Sequence, residues 1–468
     1  MTKLKKNITF RLSAFFAVLI YSAVAVFGQN TPNKPLFQDI KVQQPTTTTT
    51  PVPSATPGVK PIGSSSSVST INSSIPVLRE VSIPGYSGVL VESMDGKIVM
   101  ESLSNLNYNP ASNVKIATSY AVLKTFGPEF RFPTSVWTDG TIDTSTGTLY
   151  GNLYITGKDP SFNLEHGVAI SNELNRLGIR TISGDLVVTD QFIMNYSTQP
   201  QRAASTLLAT IDGTKRNATI NKSWQNYLFN SGKSTQVQGV PHVSLTGGVY
   251  VQQIPSNAKI LFTHESAPMK EIVKAMMCYS NNYLSERLGD MLGGSSAVAR
   301  LVQQNVGVPP QEFYLATSSG LGLNRVSPRS MMKLLRVFRK DLEKYKMSFN
   351  DIMPVAGMDK GTLAGRFDEG WERGSVVGKT GTLGNTDGGA SALSGEMNTR
   401  NGKYLFVIFN MKGSVPRFRA FQNSLVSLIQ SQFGGALAMN YMPVSLDVRM
   451  ATTRIVYPNQ NTRQRVSD

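Results

Sequence analysis

Residues 112–126 have the sequence SNVKIATSYAVLKTF, and this stretch decides how the rest of the chain is interpreted. Apolar side chains occupy almost every face of a helix predicted from Asn113 to Phe126, so the helix is expected to be buried, and Pro110 marks its entry. Ser112 and Lys115 are three residues apart and therefore neighbours on such a helix. Burial favours the neutral lysine amine, which can accept a proton. The stretch predicts a serine nucleophile with a lysine as its base.

The Ser-x-x-Lys pattern by itself is short, and it occurs three times in the chain. Ser256 to Lys259 leads into an apolar run typical of a strand entrance, where residues three apart need not meet. Ser330 to Lys333 opens a helix whose continuation is rich in charged residues. The choice of Ser112 therefore depends on the remainder of the sequence.

The chain begins with the pattern of a secretory signal peptide, predicted over residues 1–28. Four basic residues precede an apolar run from Leu12 to Phe27, and Gly28 supplies a small residue at the cut. An uncleaved anchor is the alternative, although the run is shorter than the ~20 residues of a spanning helix. The protein is expected to be exported, periplasmic or associated with the cell envelope.

The amino-acid composition limits the kinds of catalytic site and of binding partner that this chain can have. Cys278 is the one cysteine, and the three histidines are scattered without ligand spacing, so we expect no metal, no cofactor and no serine-histidine triad. The formal net charge of +16 would usually suggest nucleic acid, but export argues against that partner. An anionic wall or membrane surface and simple solubility both remain open as explanations of the charge.

Local patterns predict an α+β protein. Residues 29–76 are rich in Thr, Pro and Ser and are predicted to be a disordered linker. Asp95-Gly96 between two apolar runs predicts a hairpin of residues 88–94 and 97–103. Other strands are expected at 151–156, 185–189, 375–383, 390–397, 403–411 and 444–449. Helices are expected at 169–177, 267–292, most of 325–345, and 417–433.

Two further motifs follow the Ser112 stretch. Ser280-Asn281-Asn282 lies in the predicted helix of residues 267–292, where a turn between two helices is an alternative interpretation. Lys379-Thr380-Gly381 lies in a predicted strand and occurs once in the chain. Ser-x-x-Lys, Ser-x-Asn and Lys-Thr-Gly, in this order, are the motif set of penicillin-binding proteins and serine β-lactamases.

More narrowly, the sequence resembles the low-molecular-mass class C penicillin-binding proteins, the D-alanyl-D-alanine carboxypeptidase/endopeptidase family. The resemblance runs from about Gly88 to Phe433. The matching phrases are Pro110-Ala111-Ser112, Gly127 to Phe132, Gly184-Asp185-Leu186, Tyr279 to Asn282, Ser319-Gly320-Leu321, Val326 to Arg329, Pro354 to Gly357, Gly361-Thr362-Leu363 and Lys379 to Leu383.

This resemblance implies a transpeptidase-like fold, an antiparallel sheet flanked by helices, with an inserted accessory domain. The expected catalytic domain comprises residues 77–126 and 265–435, the insertion residues 127–264, and a C-terminal tail residues 436–468. The insertion is shorter than in larger family members, which implies one accessory domain where they carry two. Family members usually have Asp-Gly before Ser319, whereas this chain has Thr317-Ser318.

The resemblance also implies roles for individual residues. Ser112 would attack a D-Ala-D-Ala peptide bond with Lys115 as base, Ser280 would relay a proton to the leaving amine, and Asn282 would position Lys115 and the substrate amide. Lys379 would supply positive potential. Thr380, Gly381 and Thr382 would form the substrate-binding strand, with the Thr380 hydroxyl on the terminal carboxylate and backbone N–H groups of Ser112 and Thr382 around the oxyanion.

The implied substrates are peptidoglycan peptides ending in D-Ala-D-Ala, with β-lactams as covalent inhibitors. A serine β-lactamase is one alternative, because it shares all three motifs, but the sequence does not place the water-activating base that it needs. The other alternative is a wall-binding protein of the same fold without catalysis. The three intact motifs argue against this second alternative.

Overall fold

The computed structural model describes residues 71–237 and 239–458, so the predicted signal peptide and most of the predicted linker lie outside the described residues. The strands are β1 (Asn72–Ser73), β2 (Tyr86–Ser93), β3 (Ile98–Ser102), β4 (Pro133–Thr138), β5 (Thr141–Asp143), β6 (Thr148–Tyr150), β7 (Leu153–Gly157), β8 (Thr181–Ile182), β9 (Leu186–Val188), β10 (Ser244–Leu245), β11 (Val249–Val251), β12 (Lys259–Glu265), β13 (Phe313–Tyr314), β14 (Arg325–Val326), β15 (Val376–Leu383), β16 (Ala390–Thr399), β17 (Gly402–Met411) and β18 (Arg454–Val456).

The α-helices alternate with these strands in a mixed α+β architecture. They are α1 (Pro76–Arg79), α2 (Val114–Phe126), α3 (Leu164–Arg176), α4 (Pro200–Ile211), α5 (Ala218–Asn230), α6 (Met269–Tyr279), α7 (Asn282–Asp290), α8 (Ser295–Val302), α9 (Pro328–Lys344), α10 (Phe349–Ile352), α11 (Val415–Gln432) and α12 (Leu446–Met450).

A six-stranded antiparallel sheet in the order β1-β3-β2-β17-β16-β15 carries the site. It contains the predicted hairpin and the three predicted strands near the C-terminal end, and both predictions are confirmed. Apolar side chains of α11, among them Leu425, Val426 and Ile429, pack onto one face of the sheet and form a buried core with it. Strand β15 is an edge strand, so one of its edges is not paired with another strand of this sheet.

Helix α2 is buried on nearly all sides, as its apolar sequence predicts. Ten of its 13 residues, from Val114 to Leu123, are buried. A single turn of 3₁₀ helix, Ala111–Asn113, leads into it and carries Ser112. The nucleophile candidate therefore lies on a short turn held between a buried helix and the sheet.

Residues 127–264 build a second body of structure, which contains the predicted strands near 151–156 and 185–189. Its six-stranded mixed sheet has the order β11-β9-β7-β4-β12-β18, and a four-stranded sheet has the order β10-β8-β6-β5. Leu149 and Ile182 of the smaller sheet and Ile155 and Val188 of the larger one belong to the same apolar core cluster. The two sheets thus share one core.

Helix α3 begins at Leu164, five residues before the predicted start at Ala169. The first turn contains polar residues, so apolar periodicity does not indicate that the helix begins there. The His166 Nδ1 atom accepts a hydrogen bond from the Asn163 N–H, which satisfies a backbone donor at the start of the helix.

The predicted helix of residues 267–292 is wrong in one respect, because it is two helices. Ser280 separates α6 from α7 with φ 56° and ψ 39°, in the left-handed region. The Asn281 side chain then caps α7 by accepting a hydrogen bond of 3.0 Å from the Leu284 N–H. The alternative interpretation of this motif, a turn between helices, is confirmed.

Both ends of the described chain correct the sequence-based limits. Strand β1 pairs with β3, and Ser73 Oγ donates to the Val99 carbonyl over 2.7 Å, so ordered structure begins inside the segment predicted as linker. Near the other end, no strand forms at residues 444–449; helix α12 lies there instead. Strand β18 follows it and pairs with β12.

The region 325–345, predicted to be mainly one helix, begins with the short strand β14, and its helix starts at Pro328.

Among the described residues, no helix combines the length and apolar character needed to cross a membrane. In the same part of the chain, His, Cys, Asp and Glu side chains do not gather in groups of three or more that could hold a metal ion.

Candidate active site

The turn that carries Ser112 is hydrogen-bonded directly to β15. Asn113 is fully buried, and its Nδ2 donates to the Lys379 carbonyl over 3.0 Å. Gly381 allows the close approach, because a Cβ atom there would lie 2.7 Å from the Pro110 carbonyl oxygen and 3.0 Å from the Ala111 Cβ. The Lys379-Thr380-Gly381 strand therefore lies beside the nucleophile turn, and a larger residue at position 381 would push the two apart.

Lys115 is fully buried, and its Nζ atom faces the Ser112 hydroxyl. The Nζ atom lies 3.1 Å from Ser112 Oγ, 2.6 Å from Asn282 Oδ1 and 2.8 Å from the Ser319 carbonyl oxygen. A buried amine needs such partners, because an unsatisfied polar group in the interior is costly. These contacts also fix the orientation of the Lys115 side chain, so its Nζ atom and the Ser112 hydroxyl are held next to each other.

Ser280 lies on the other side of the cleft, opposite Lys379. The left-handed backbone at Ser280 places its side chain next to the fully buried Lys379, whose Nζ donates to Ser280 Oγ over 2.8 Å. The same Nζ contacts the Thr380 carbonyl at 2.8 Å. A hydroxyl in contact with a lysine is suited to passing a proton.

The residues predicted from the three motifs converge on one cleft of about 590 Å³. Ser112, Ser280, Asn282, Thr380 and Thr382 line it directly. The catalytic candidates Lys115 and Lys379 lie behind the serines and reach them through their hydrogen bonds, as described above. Gly381 is buried against the nucleophile turn.

The other two Ser-x-x-Lys stretches lie elsewhere. Lys259 is exposed at the start of β12. Ser330 Oγ donates to Glu312 Oε2 over 2.8 Å and supports the start of α9. Neither serine is among the residues that line the cleft.

Glu286 is a supporting residue that the sequence analysis missed. Its two carboxylate oxygens accept hydrogen bonds from the backbone N–H groups of Ser318 (3.1 Å) and Ser319 (2.9 Å). The carbonyl of Ser319 in turn accepts from Lys115. Glu286 lies four residues after Asn282, one turn along the same face of α7, which was the available signal.

The loop whose backbone is bound by Glu286 contains the Ser319-Gly320-Leu321 phrase, and its geometry requires the glycine. Gly320 has φ +93°, and a Cβ atom there would lie 2.0 Å from the Ala111 carbonyl oxygen. Only glycine fits this approach to the nucleophile turn. Thr317, found where family members usually have Asp, accepts from the Gly320 N–H at 3.0 Å and donates to the Leu321 carbonyl at 2.8 Å.

Two arginines in the cleft were also missed. Arg419, on α11, donates from Nη2 to Thr382 Oγ1 over 2.9 Å. Arg366 lies in the loop before β15, and burial together with the nearby charge of Arg419 lowers its pKa to about 10. Arg366 follows the Gly361-Thr362-Leu363 phrase closely, whereas Arg419 had no local signal in the sequence.

Comparison with known proteins identifies the family. A model of the D-Ala-D-Ala carboxypeptidase 3 (S13) family matches residues 79–220 and 232–432. The D-alanyl-D-alanine carboxypeptidase DacB of Haemophilus influenzae is 24% identical over 455 residues, covering 74% of this chain and 92% of the relative. A D-alanyl-D-alanine carboxypeptidase of Actinomadura sp. is 23% identical over 449 residues, covering 75% and 82%.

A solved structure shows a similar fold. It is a penicillin G acylated predatory endopeptidase of Bdellovibrio bacteriovorus in complex with an immunity protein, with a TM-score of 0.66 and 21% identity, covering 79% of this chain and 98% of that one. The likeness supports the predicted penicillin-binding protein fold, and the family match spans most of this chain. The chain therefore belongs to the D-Ala-D-Ala carboxypeptidase 3 (S13) family.

Proposed function

We propose that this chain is an exported serine D-alanyl-D-alanine carboxypeptidase/endopeptidase that acts on peptidoglycan peptides through an acyl-enzyme at Ser112. The observation that carries the proposal is the position of the Lys115 amine, 3.1 Å from Ser112 Oγ and held by Asn282 and the Ser319 carbonyl. A buried amine in contact with a hydroxyl is an arrangement that activates a nucleophile.

In the acylation step, Ser112 Oγ attacks the carbonyl carbon of the scissile bond and its proton passes to neutral Lys115. The tetrahedral intermediate collapses, the C–N bond breaks, and the leaving amine takes up a proton by way of Ser280. The product is an ester at Ser112. A water molecule then adds to the ester carbonyl and releases the acid and the free serine.

The cleft supplies groups for each charge that develops. In the proposed mechanism Lys379, whose Nζ donates to Ser280 Oγ, provides positive potential. Thr380, which lines the cleft, binds the substrate's terminal carboxylate through its hydroxyl. We assign the oxyanion to the backbone N–H groups of Ser112 and Thr382. One such donor is worth about 10²- to 10³-fold in rate.

We propose the predicted domain limits with one change, an earlier start. The catalytic domain then comprises residues 71–126 and 265–435, and the insertion comprises residues 127–264. Strand β18, from the tail, adds to the sheet of the insertion. The net charge of +16 supports electrostatic contact with an anionic wall or membrane surface.

Both reactions of the family are accommodated by this mechanism, since each breaks a bond to the carbonyl of a D-Ala residue. The names of the relatives include carboxypeptidases and an endopeptidase. β-Lactams present a strained amide to the same serine, and we expect them to acylate it.

The test is digestion of purified muropeptides, both monomeric pentapeptides and crosslinked dimers, with the products separated by mass. Release of D-Ala from pentapeptides, or conversion of dimers to monomers, supports the proposal if Ser112→Ala abolishes it. A matched control is Ser256→Ala, in a second Ser-x-x-Lys stretch, which should keep full activity. Equal activity in the Ser112→Ala variant would overturn the proposal.

A further inference from the structure

We infer that the insertion contains a second binding site, a pocket between helices α3 and α5 that binds a saccharide segment of the peptidoglycan glycan strand. Among the described residues, those that line this pocket and those that line the Ser112 cleft form separate sets. The saccharide class follows from the side chains of the pocket. Its source, the glycan to which the substrate peptides are attached, rests on the proposed function.

The pocket has a volume of about 400 Å³ and is formed by the insertion together with the tail. Glu173 lines it from α3, and Trp224 and Tyr227 line it from α5. Its base is the end of the larger sheet, where His264 of β12 is the register partner of Ile455 of β18. Cross-strand partners lie on the same face of a sheet, so these two side chains share the base. A cavity of this size is in the range of small-ligand sites.

His264 is the residue that points to a ligand. Its side chain is fully buried, and within the described structure neither ring nitrogen has a hydrogen-bond partner. Buried polar groups are nearly always hydrogen-bonded, because an unsatisfied one is costly. Burial, followed by the nearby charges of His166 and Lys233, lowers the pKa of His264 well below 6.5. The neutral ring then offers one donor and one acceptor, and a hydroxyl group, which both donates and accepts, can pair with either nitrogen.

Two aromatic rings form the α5 wall of the pocket. Trp224 and Tyr227 are three residues apart on one face of the helix, and their rings stack with an interplanar angle of 18° and centroids 5.5 Å apart. Lys233 Nζ lies 5.9 Å from the centroid of the Tyr227 ring. A sugar ring has an apolar C–H face and hydroxyl groups at its edge. An aromatic wall beside polar side chains therefore suits a saccharide.

The α3 wall offers hydrogen-bond acceptors as well as donors. Glu173 is buried, and both of its carboxylate oxygens accept from Arg176 Nη1 over 3.0 Å. Each oxygen keeps a second lone pair for a ligand hydroxyl. Asn172, one turn before Arg176, also lines the pocket and adds an amide. The carboxylate opposes a purely anionic ligand, and an apolar ligand would leave His264 unsatisfied. A neutral ligand with several hydroxyl groups meets both conditions.

The tail completes the pocket and supports its aromatic wall. Thr453, just before β18, lines the pocket, and its Oγ1 atom lies in hydrogen-bond contact with the Tyr227 hydroxyl at 2.6 Å. The contact joins the tail to α5. The position of Tyr227 is therefore set by a residue more than 200 positions later in the chain.

The experiment is isothermal titration calorimetry of the purified protein with triacetylchitotriose, a soluble trimer of N-acetylglucosamine. The proteins are wild type, His264→Phe, Asn172→Ala and Phe229→Ala. Phe229 is the matched control, because it is an exposed aromatic residue of α5 that is not among the residues lining the pocket. The aromatic neighbours of His264 accommodate a phenyl ring, and Asn172 is only half-buried, so the two test variants change the pocket by independent routes.

Wild type and Phe229→Ala should bind the trimer with the same Kd. His264→Phe should weaken binding by about tenfold, because a ligand hydroxyl loses its buried partner. Asn172→Ala should weaken it by about threefold or more, through the loss of one hydrogen bond. Absence of binding to wild type, or an unchanged Kd in both His264→Phe and Asn172→Ala, would overturn the inference. Binding of a sugar-free stem peptide that is lost in His264→Phe would assign the pocket to peptide and also overturn it.

Ser112→Ala separates this inference from the proposed function, and it should bind the trimer as wild type does. If wild type binds the trimer but forms no acyl-enzyme with penicillin G, the proposed function fails. The saccharide site then stands, and its assignment to peptidoglycan is overturned. If wild type is acylated but does not bind the trimer, only the inference fails.

Discussion

Lys115 Nζ donates a hydrogen bond of 2.6 Å to Asn282 Oδ1, although 167 positions separate the two residues in the chain. The bond joins helix α2 to helix α7 across the insertion. The proposed base, Lys115, and the residue that orients it, Asn282, therefore come from the two segments of the proposed catalytic domain. The proposed mechanism needs a neutral lysine, and an amide partner, unlike a carboxylate, adds no negative charge that would hold the proton on the amine.

Asn282→Asp should therefore remove most of the activity. The new carboxylate would pair with Lys115 and hold it as an ammonium ion, so acylation by penicillin should fall by about 10² to 10⁴, the usual contribution of a general base. Stopped-flow acylation measures this directly. Asn281→Asp, the adjacent control, keeps the cap on α7 and should retain the rate. Equal losses in the two variants would contradict this role of Asn282.

Glu286→Ala should slow acylation through the loop that it holds. The change leaves the Ser318 and Ser319 N–H groups without their acceptor, at a cost of about 1–3 kcal/mol in unfolding free energy for each buried group. It also releases the Ser319 carbonyl that positions Lys115, so the acylation rate should fall by about tenfold or more. Asp290→Ala, which removes a surface ion pair with Arg287 on the same helix, is the control. It should leave the acylation rate unchanged and alter the unfolding free energy by no more than about 0.5 kcal/mol. A wild-type acylation rate in folded Glu286→Ala would contradict the prediction.

Lys274→Met should destabilise the fold strongly, because it breaks a buried ion pair. Lys274 Nζ lies 2.7 Å from Asp359 Oδ2, and both side chains are almost fully buried. Removing one partner leaves a buried charge and should cost about 3–5 kcal/mol in urea unfolding. The double variant Lys274→Met/Asp359→Asn should recover part of this loss. Lys124→Met, at the exposed pair with Asp341, is the control and should cost about 1 kcal/mol or less. A small loss in Lys274→Met would show that the pair does not stabilise this region.

His264 should make the stability fall at acidic pH. Burial, followed by the nearby charges of His166 and Lys233, lowers the pKa of His264 well below 6.5. Below about pH 6.5 the unfolded chain binds a proton that the folded chain does not, so the unfolding free energy decreases as the pH falls. Each such proton contributes about 1.4 kcal/mol per pH unit.

Urea unfolding at several pH values between 7.5 and 5 tests this sign. His264→Phe, which suits the aromatic neighbours Phe162 and His166, should flatten the pH dependence relative to wild type. A steeper slope in His264→Phe would contradict the assignment.

Sequence patterns were sufficient for the parts of the fold that rest on local periodicity. The buried helix after Ser112 and the antiparallel strands near residues 376–411 follow from apolar spacing and turn residues. The motif order is the basis on which Ser112 is predicted among three similar stretches. The structure places Ser112, Ser280, Asn282, Thr380 and Thr382 around one cleft, with Lys115 and Lys379 hydrogen-bonded to the two serines.

The remaining features depend on contacts between distant residues. Ser280 adopts a left-handed backbone without a glycine or proline beside it, so the end of α6 is indicated only by the polar Ser280-Asn281-Asn282 motif. Strand β18 pairs with β12 roughly 190 residues earlier, and short strands of this kind are stabilised by pairing and not by their own sequence. Arg419 is part of the site because α11 packs against β16 and its arginine reaches Thr382 on the neighbouring strand β15.

The central claim, an acyl-enzyme at Ser112, is tested most directly by intact-mass spectrometry of the purified protein during incubation with penicillin G. The account predicts one covalent adduct per chain, mapped to Ser112 and long-lived, and no adduct in a Ser112→Ala variant whose Tm is close to that of wild type. Rapid formation and loss of the adduct with turnover of the drug would favour a β-lactamase. An adduct that persists in Ser112→Ala, or a folded wild type that forms none, would contradict the claim.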